Sequence, residues 1–211
     1  MSQVIQGSEA WFAARLGKVT ASRIADVVAK VKSGEAATRA TYRAELVAER
    51  LTGKRVESFT NAAMKWGTEC EPLARSAYEA ETGRIVTEVG MIDHPRIAMS
   101  GASPDGLVDS DGILEIKCPE TKAHISTILS GCIPSQYVPQ VQWQMACTGR
   151  LWCDFVSFDP RMPSDMQLFI VSVDRDDEAI ALYEQEVVKF LAEVDGTIKQ
   201  LTEWQQEKEA A

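Results

Sequence analysis

The apolar spacing of this chain changes period at Gly83, and that change limits the folds open to it more than any other feature. Before Gly83, apolar residues recur at helical intervals. After it they alternate in short runs separated by turn residues, until helical spacing returns near the end. Such a switch, with no internal repeat, predicts an α/β fold with a mixed central β-sheet flanked by helices. The chain has 211 residues, 45% of them apolar, enough to close one large core. A single domain over 1–211 is expected, with a helical segment at 1–55, the core at 56–175 and a terminal helix at 176–211.

Local signals place the elements. Ser8 is positioned to cap a short helix through Trp11, Phe12 and Leu16, ended by Gly17. Thr20 or Ser22 would cap a second through Ile24, Val27 and Val28, and residues 41–51 form a third, closed by Gly53. A longer helix begins near Trp66 and stops at Gly83. On it Cys70, Leu73, Ala74, Ala77 and Tyr78 form one apolar stripe, and Glu71 falls about 20° beyond its Tyr78 edge, at the rim of a buried face. Strands are expected at 85–92, 97–100, 106–109 and 113–118, with Asp111-Gly112 as a hairpin signal between the last two. Helices follow at 121–131 and 135–148, then strands at 151–158 and 167–173. From 177 to 204, Ile180, Val187, Val194 and Leu201 recur in heptads, with Tyr183, Phe190, Leu191 and Ile198 in a second seam. That pattern suits a long helix packed along its own sheet, or one that also contacts another subunit.

The formal charge is -9, which taken alone argues against a nucleic-acid partner. Its distribution reverses the argument: residues 1–55 carry ten Lys/Arg and five Asp/Glu, whereas residues 174–211 carry four and eleven. An acidic end leaves room for a basic face elsewhere. The five cysteines form no C-x-x-C pair, so buried or semi-buried thiols in a reducing cytoplasm are expected rather than zinc or an iron–sulfur cluster. The opening MSQVIQGSEAW lacks the charge and apolar pattern of a secretory signal, and the longest stretch free of charge, 123–149, is too rich in Gln, Ser and Pro to cross a membrane. His94, before Pro95, reads as a turn residue. Neither it nor His124 has a second histidine at ligand spacing.

The informative segment is Ser103-Pro104-Asp105-Gly106, followed across the hairpin by Glu115-Ile116-Lys117. On a strand, Glu115 and Lys117 share one face and Ile116 takes the other. The hairpin brings Asp105 alongside them. A structural salt bridge on a solvated face would also give Glu-x-Lys, but one lysine cannot neutralise two carboxylates, and Leu107, Val108, Ile113, Leu114 and Ile116 look like core. A hard divalent cation resolves the conflict: Mg²⁺ or Mn²⁺ takes one or two carboxylates, main-chain oxygen such as the Ile116 carbonyl, water and phosphate. Lys117 could hold or deprotonate the attacking water, or stabilise charge on a phosphate.

These residues resemble the PD-(D/E)XK nuclease motif, and the chain is similar to the lambda exonuclease and YqaJ-type recombination nucleases of phage. The likeness extends through Arg15-Leu16-Gly17, Val19-Thr20-Ala21-Ser22, Trp66-Gly67 with Glu71, Leu114 to Pro119, Tyr137 with Gln140, Val141-Gln142, and Asp159-Pro160-Arg161-Met162. The resemblance implies a restriction-endonuclease-like core. It implies Asp105, Glu115 and the Ile116 carbonyl as metal ligands, Lys117 as the catalytic lysine, and Glu71 beside a second metal. Arg15 and Ser22 would form a pocket for a DNA 5′-phosphate, with Tyr137 and the catalytic Gln140 lining the same cleft.

Trp11 fits either the core or the DNA-end site, and Gln144 either the cleft or a solvated helix face. The implied activity is Mg²⁺-dependent 5′→3′ digestion of one strand of double-stranded DNA, with Mn²⁺ as a substitute and two ions once substrate is bound. A ring-shaped homotrimer and a single-strand annealing protein as partner are implied as well. Two rivals share the fold: a PD-(D/E)XK endonuclease, and a non-catalytic DNA-end scaffold, whose usual mark is loss of a ligand or of the lysine.

Overall fold

The computed structural model describes residues 5–56 and 62–210; the first four residues of MSQVIQGSEAW, on which the signal-peptide reading partly rests, lie outside the described residues. Ser8 caps α1 (Glu9–Arg15) by accepting the Trp11 N–H, as its position predicts. After β1 (Val19–Thr20), neither Thr20 nor Ser22 caps a helix. A 3-10 turn over Ala21–Arg23 leads instead into the single turn of α2 (Ile24–Val27), whose N-terminus has no side-chain cap bond. α3 (Ala37–Thr52) and α4 (Ala62–Thr82) begin earlier than expected, and both stop at left-handed glycines, Gly53 (φ 65°) and Gly83 (φ 70°).

The remaining elements are β2 (Val86–Thr87), β3 (Ile92–Asp93), β4 (Ser100–Ala102), β5 (Gly106–Val108), β6 (Gly112–Lys117), α5 (Thr121–Ser130), α6 (Val138–Thr148), β7 (Trp152–Phe158), β8 (Leu168–Asp174) and α7 (Asp177–Ala210). A five-stranded sheet has the order β2-β5-β6-β7-β8, antiparallel except for the parallel β6–β7 pair. A second sheet of three strands has the order β1-β4-β3. The single strand expected at 85–92 is therefore two, β2 in the large sheet and β3 in the small one. Alternation of polarity cannot show where a strand changes partners. The strand expected at 97–100 is also displaced: Met99 sits at φ 58°, and extended chain resumes only at Ser100.

The β5–β6 hairpin forms, but not on an Asp-Gly turn. Gly112 is already in β6, paired with Val108, and Asp109 (φ 49°) takes the left-handed position. Gly112 answers a steric demand instead, because a Cβ there would lie 2.2 Å from the Trp152 ring.

The core has layers on both faces of β6. Leu114 and Ile116 pack with Ala74 and Tyr78 of α4, while Ile113 faces Val141 and Met145 of α6. A third cluster joins α2, α3, α6 and α7 through Ile24, Tyr42, Leu46, Trp143, Val187, Phe190 and Val194. α7 thus packs on helices rather than along the sheet, which corrects the expected arrangement. Its seam is buried from Ile180 to Val194, whereas Leu201 and Trp204 are exposed. His94 and His124 are both buried: His94 Nδ1 accepts the Arg96 and Ile97 N–H groups, and His124 bridges Ser157 and the Met166 carbonyl. Among the described residues no helix is long and apolar enough to cross a membrane.

Candidate active site

Strand alternation sets the site. With Leu114 and Ile116 turned to α4, Glu115 and Lys117 face the α6 side. Asp105, just before β5, donates its N–H to the Leu114 carbonyl (3.1 Å) and accepts the Ile116 N–H at its carboxylate (2.7 Å). Ile116 pairs with Val156 on its β7 edge, and the Asp105 side chain takes the place of a partner on the β5 edge. Glu115 is 1% exposed. Lys117 Nζ donates to its Oε1, Gln140 Nε2 donates to the same oxygen at 2.5 Å, and Gln144 Nε2 donates to Oε2 at 2.5 Å. Gln144 is fully buried, which removes the solvated-face reading. Periodicity alone could not separate the two, since a polar residue facing a buried carboxylate has the same spacing as one facing water.

Helix α4 supplies Glu71, which pairs with Arg75 at 2.7 Å; Arg75 also reaches Glu88 at 2.7 Å. The buried line on α4 is Cys70, Ala74 and Tyr78, whereas Leu73 is 57% exposed. The apolar stripe is therefore narrower than expected and rotated towards Glu71. On the other side, the Arg15 guanidinium lies 4.2 Å from the Trp11 ring centroid. Arg15 and Trp11 both donate to Ser103 Oγ, at 3.2 and 3.0 Å. Ser103 was visible only as part of a motif, because a contact spanning α1 and β4–β5 leaves no local signal. Tyr137 stacks on Phe155 at 5.5 Å, with Lys117 Nζ 5.1 Å from the Tyr137 ring.

One cavity of about 540 Å³ is lined by Trp11, Arg15, Ser22, Glu71, Asp105, Glu115, Ile116, Lys117, Tyr137 and Gln140, with Ser103 and Gln144 added. Every site residue expected from sequence thus meets in one place. The excess charge of residues 1–55 does not all reach it: Arg39 and Arg43 pair with Glu193, and Arg50 with Asp195, so α7 neutralises much of that segment.

Burial, then the nearby Glu115 and Glu71 carboxylates, push Asp105 well above the ordinary carboxylate range; Lys117 and the Ile116 N–H offset this only in part. Burial also raises Glu71, with Arg75 opposing. For Lys117 burial disfavours the charge, but Glu115 and Asp105 outweigh it and raise its pKa, so the side chain is an ammonium at neutral pH. Burial lowers Arg15, and it pushes the Cys118 thiol up to about 12, far from a reactive thiolate.

Among the described residues no three His, Cys, Asp or Glu side chains form a cluster that could hold a metal unaided. What the cavity offers is a carboxylate pair whose mutual repulsion a cation would relieve. That donor set fits Mg²⁺ or Mn²⁺, which keep water and phosphate among their ligands, and not an all-protein cage.

Residues 10–151 match the model of the YqaJ-like viral recombinase domain. The chain is similar to an alkaline exonuclease, LHK-Exo, from Laribacter hongkongensis: 56% identity, TM-score 0.89, covering 97% of this chain and 100% of that one. The same relative has been solved in complex with dAMP. A phage-related exonuclease from Haemophilus somnus 129PT, at 18% identity and TM-score 0.68, covers 87% of this chain and 96% of that one and shares the fold. No curated protein matches the sequence. The restriction-endonuclease-like core expected from the motif is the fold these structures share.

Proposed function

The chain belongs to the YqaJ-like viral recombinase domain family, and from that premise we propose a metal-dependent exonuclease that digests one strand of linear duplex DNA 5′→3′ from 5′-phosphorylated ends. Exonuclease activity of the phage recombination type rests on the family and on the 56% identical alkaline exonuclease. Direction and 5′-phosphate ends are what the family resemblance implies; metal dependence is inferred from the site. The observation that supports the reading is the convergence of Asp105, Glu115 and Lys117 with Arg15 in one cavity.

Arg15, stacked on Trp11 and hydrogen-bonded to Ser103, presents a pre-organised guanidinium suited to a terminal phosphate, with the Ser22 hydroxyl at the same wall. A strand held there by its end lays a phosphodiester towards Asp105 and Glu115. Those carboxylates, with the Ile116 carbonyl, would hold the first Mg²⁺, and Glu71 would stand beside a second once substrate is bound; Mn²⁺ has the same ligand preferences. When bound, the ion polarises the phosphate and lowers the pKa of an attacking water. In the metal-free protein Glu115 and Asp105 raise the Lys117 pKa, and its ammonium is placed to donate to charge developing on the phosphate. Gln140 and Tyr137 border the lysine and restrict where it can point. This reading carries with it a cytoplasmic setting, a homotrimeric ring that keeps a threaded strand from leaving, and a single-strand annealing protein that takes the 3′ overhang.

The test is digestion of linear duplex with 5′-phosphate or 5′-hydroxyl ends, and of closed circular duplex, each with Mg²⁺ and with EDTA. Mononucleotides released from the 5′-phosphate ends, intact circles and full inhibition by EDTA are expected. Cleaved circles would indicate an endonuclease. Binding to ends without digestion would indicate a scaffold.

A further inference from the structure

Three donors of unequal freedom hold the Glu115 carboxylate. Lys117 and Gln140 both serve Oε1, and both side chains are only partly buried. Gln144 serves Oε2 and is fully buried. Charge fixes its orientation, because turning the amide over would set its oxygen against the carboxylate. The amide oxygen of Gln144 is itself buried with no hydrogen-bond partner among the described residues, although the residue lines the cavity. Packing alone does not account for this. Val141 and Met145, its neighbours on α6, fill their places without polar atoms, and a methionine at 144 would leave no acceptor unpaired.

We propose that Gln144 is a positioning residue that keeps Oε2 of Glu115 permanently occupied. Oε1 is then the one oxygen released to a divalent cation when Lys117 and Gln140 turn to substrate. Glu115 would then offer a cation a single oxygen, with the other held by the buried Gln144 amide. This rests on the metal-dependent reading above.

The experiment is calorimetric titration of Mn²⁺ into the full chain without DNA, for wild type, Gln144→Met and Asp105→Ala, with a thermal melt of each. Loss of an outer-shell partner weakens metal binding by about 10- to 100-fold, and that loss is expected for Gln144→Met in a protein that still melts cooperatively. Wild-type affinity in a folded Gln144→Met would overturn the proposal, since a merely structural glutamine would change the melt and leave the affinity alone. If Gln144→Met does not fold, Gln144→Asn, which keeps an amide too short to reach Glu115, carries the same expectation and the same refutation. Wild type and Asp105→Ala failing equally to bind Mn²⁺ would remove the metal-dependent reading itself, an outcome distinct from wild type and Gln144→Met binding equally well.

Discussion

Asp159, one residue past the end of β7, and Asp105, one residue before β5, meet burial with opposite results. Burial pushes Asp159 up, yet Arg161, bonded at 2.7 Å, and Thr121, at 2.6 Å, more than reverse this and hold its carboxyl at about 2. Asp105 has one backbone N–H and a share of one lysine, set against two further carboxylates, and its pKa moves upward. Asp154, buried in the sheet, is likewise met by donors, from Tyr78, Arg84 and Ser172. Asp159 and Asp154 have donors enough and lie outside the cavity. The place where the partners fall short is the cavity, and the shortfall is what a divalent cation would fill.

The contrast can be broken by mutation. The largest effect is expected from Lys117→Ala or Asp105→Ala, which should lower nuclease turnover by about 10³-fold or more, the scale of losing electrostatic stabilisation at a reacting centre, with the fold kept. Steady-state digestion and circular dichroism check the two halves of that statement. Asp159→Asn should do the reverse: activity should survive in the folded fraction, while stability falls by about 2 kcal/mol, read by urea unfolding.

The pH dependence of that term has a defined sign. The folded pKa of Asp159 lies below its ordinary value of 3.8. Its stabilisation is therefore complete above 3.8 and disappears as pH falls through about 2. Asp105 is raised, so in the metal-free protein stability falls as pH climbs from its ordinary 3.8 through its folded pKa, and the loss is complete above that. The smallest effect is Arg15→Ala, expected to reduce the preference for 5′-phosphate over 5′-hydroxyl ends by about 10-fold, the scale of a charge-assisted hydrogen bond, measured as the ratio of initial rates on the two ends.

The candidate site was legible because strand alternation is rigid. Glu115 and Lys117 had to share a face, and the hairpin had to return Asp105 to it, whichever residue made the turn. Glu71 was legible from helical spacing, although the same stripe misplaced Leu73, since a helix wheel gives the angle of a face but not how wide a strip the sheet covers. Contacts between distant segments were not legible. Ser103 beneath Arg15 and Trp11, α7 packed against α3, and the division of 85–92 between two sheets depend on partners far along the chain. Gln144 is the sharpest case, a neutral residue whose position acquires meaning only from the carboxylate opposite it.

The most direct measurement of the central claim is the melting temperature of wild type and Asp105→Asn at pH 8, each with and without Mg²⁺. Without metal, Asp105→Asn should melt above wild type, because removing one charge relieves the crowded carboxylates. Mg²⁺ should raise wild type and leave Asp105→Asn almost unmoved. A wild-type melt indifferent to Mg²⁺, together with a destabilised Asp105→Asn, would make Asp105 a satisfied structural acid like Asp159 and contradict the account.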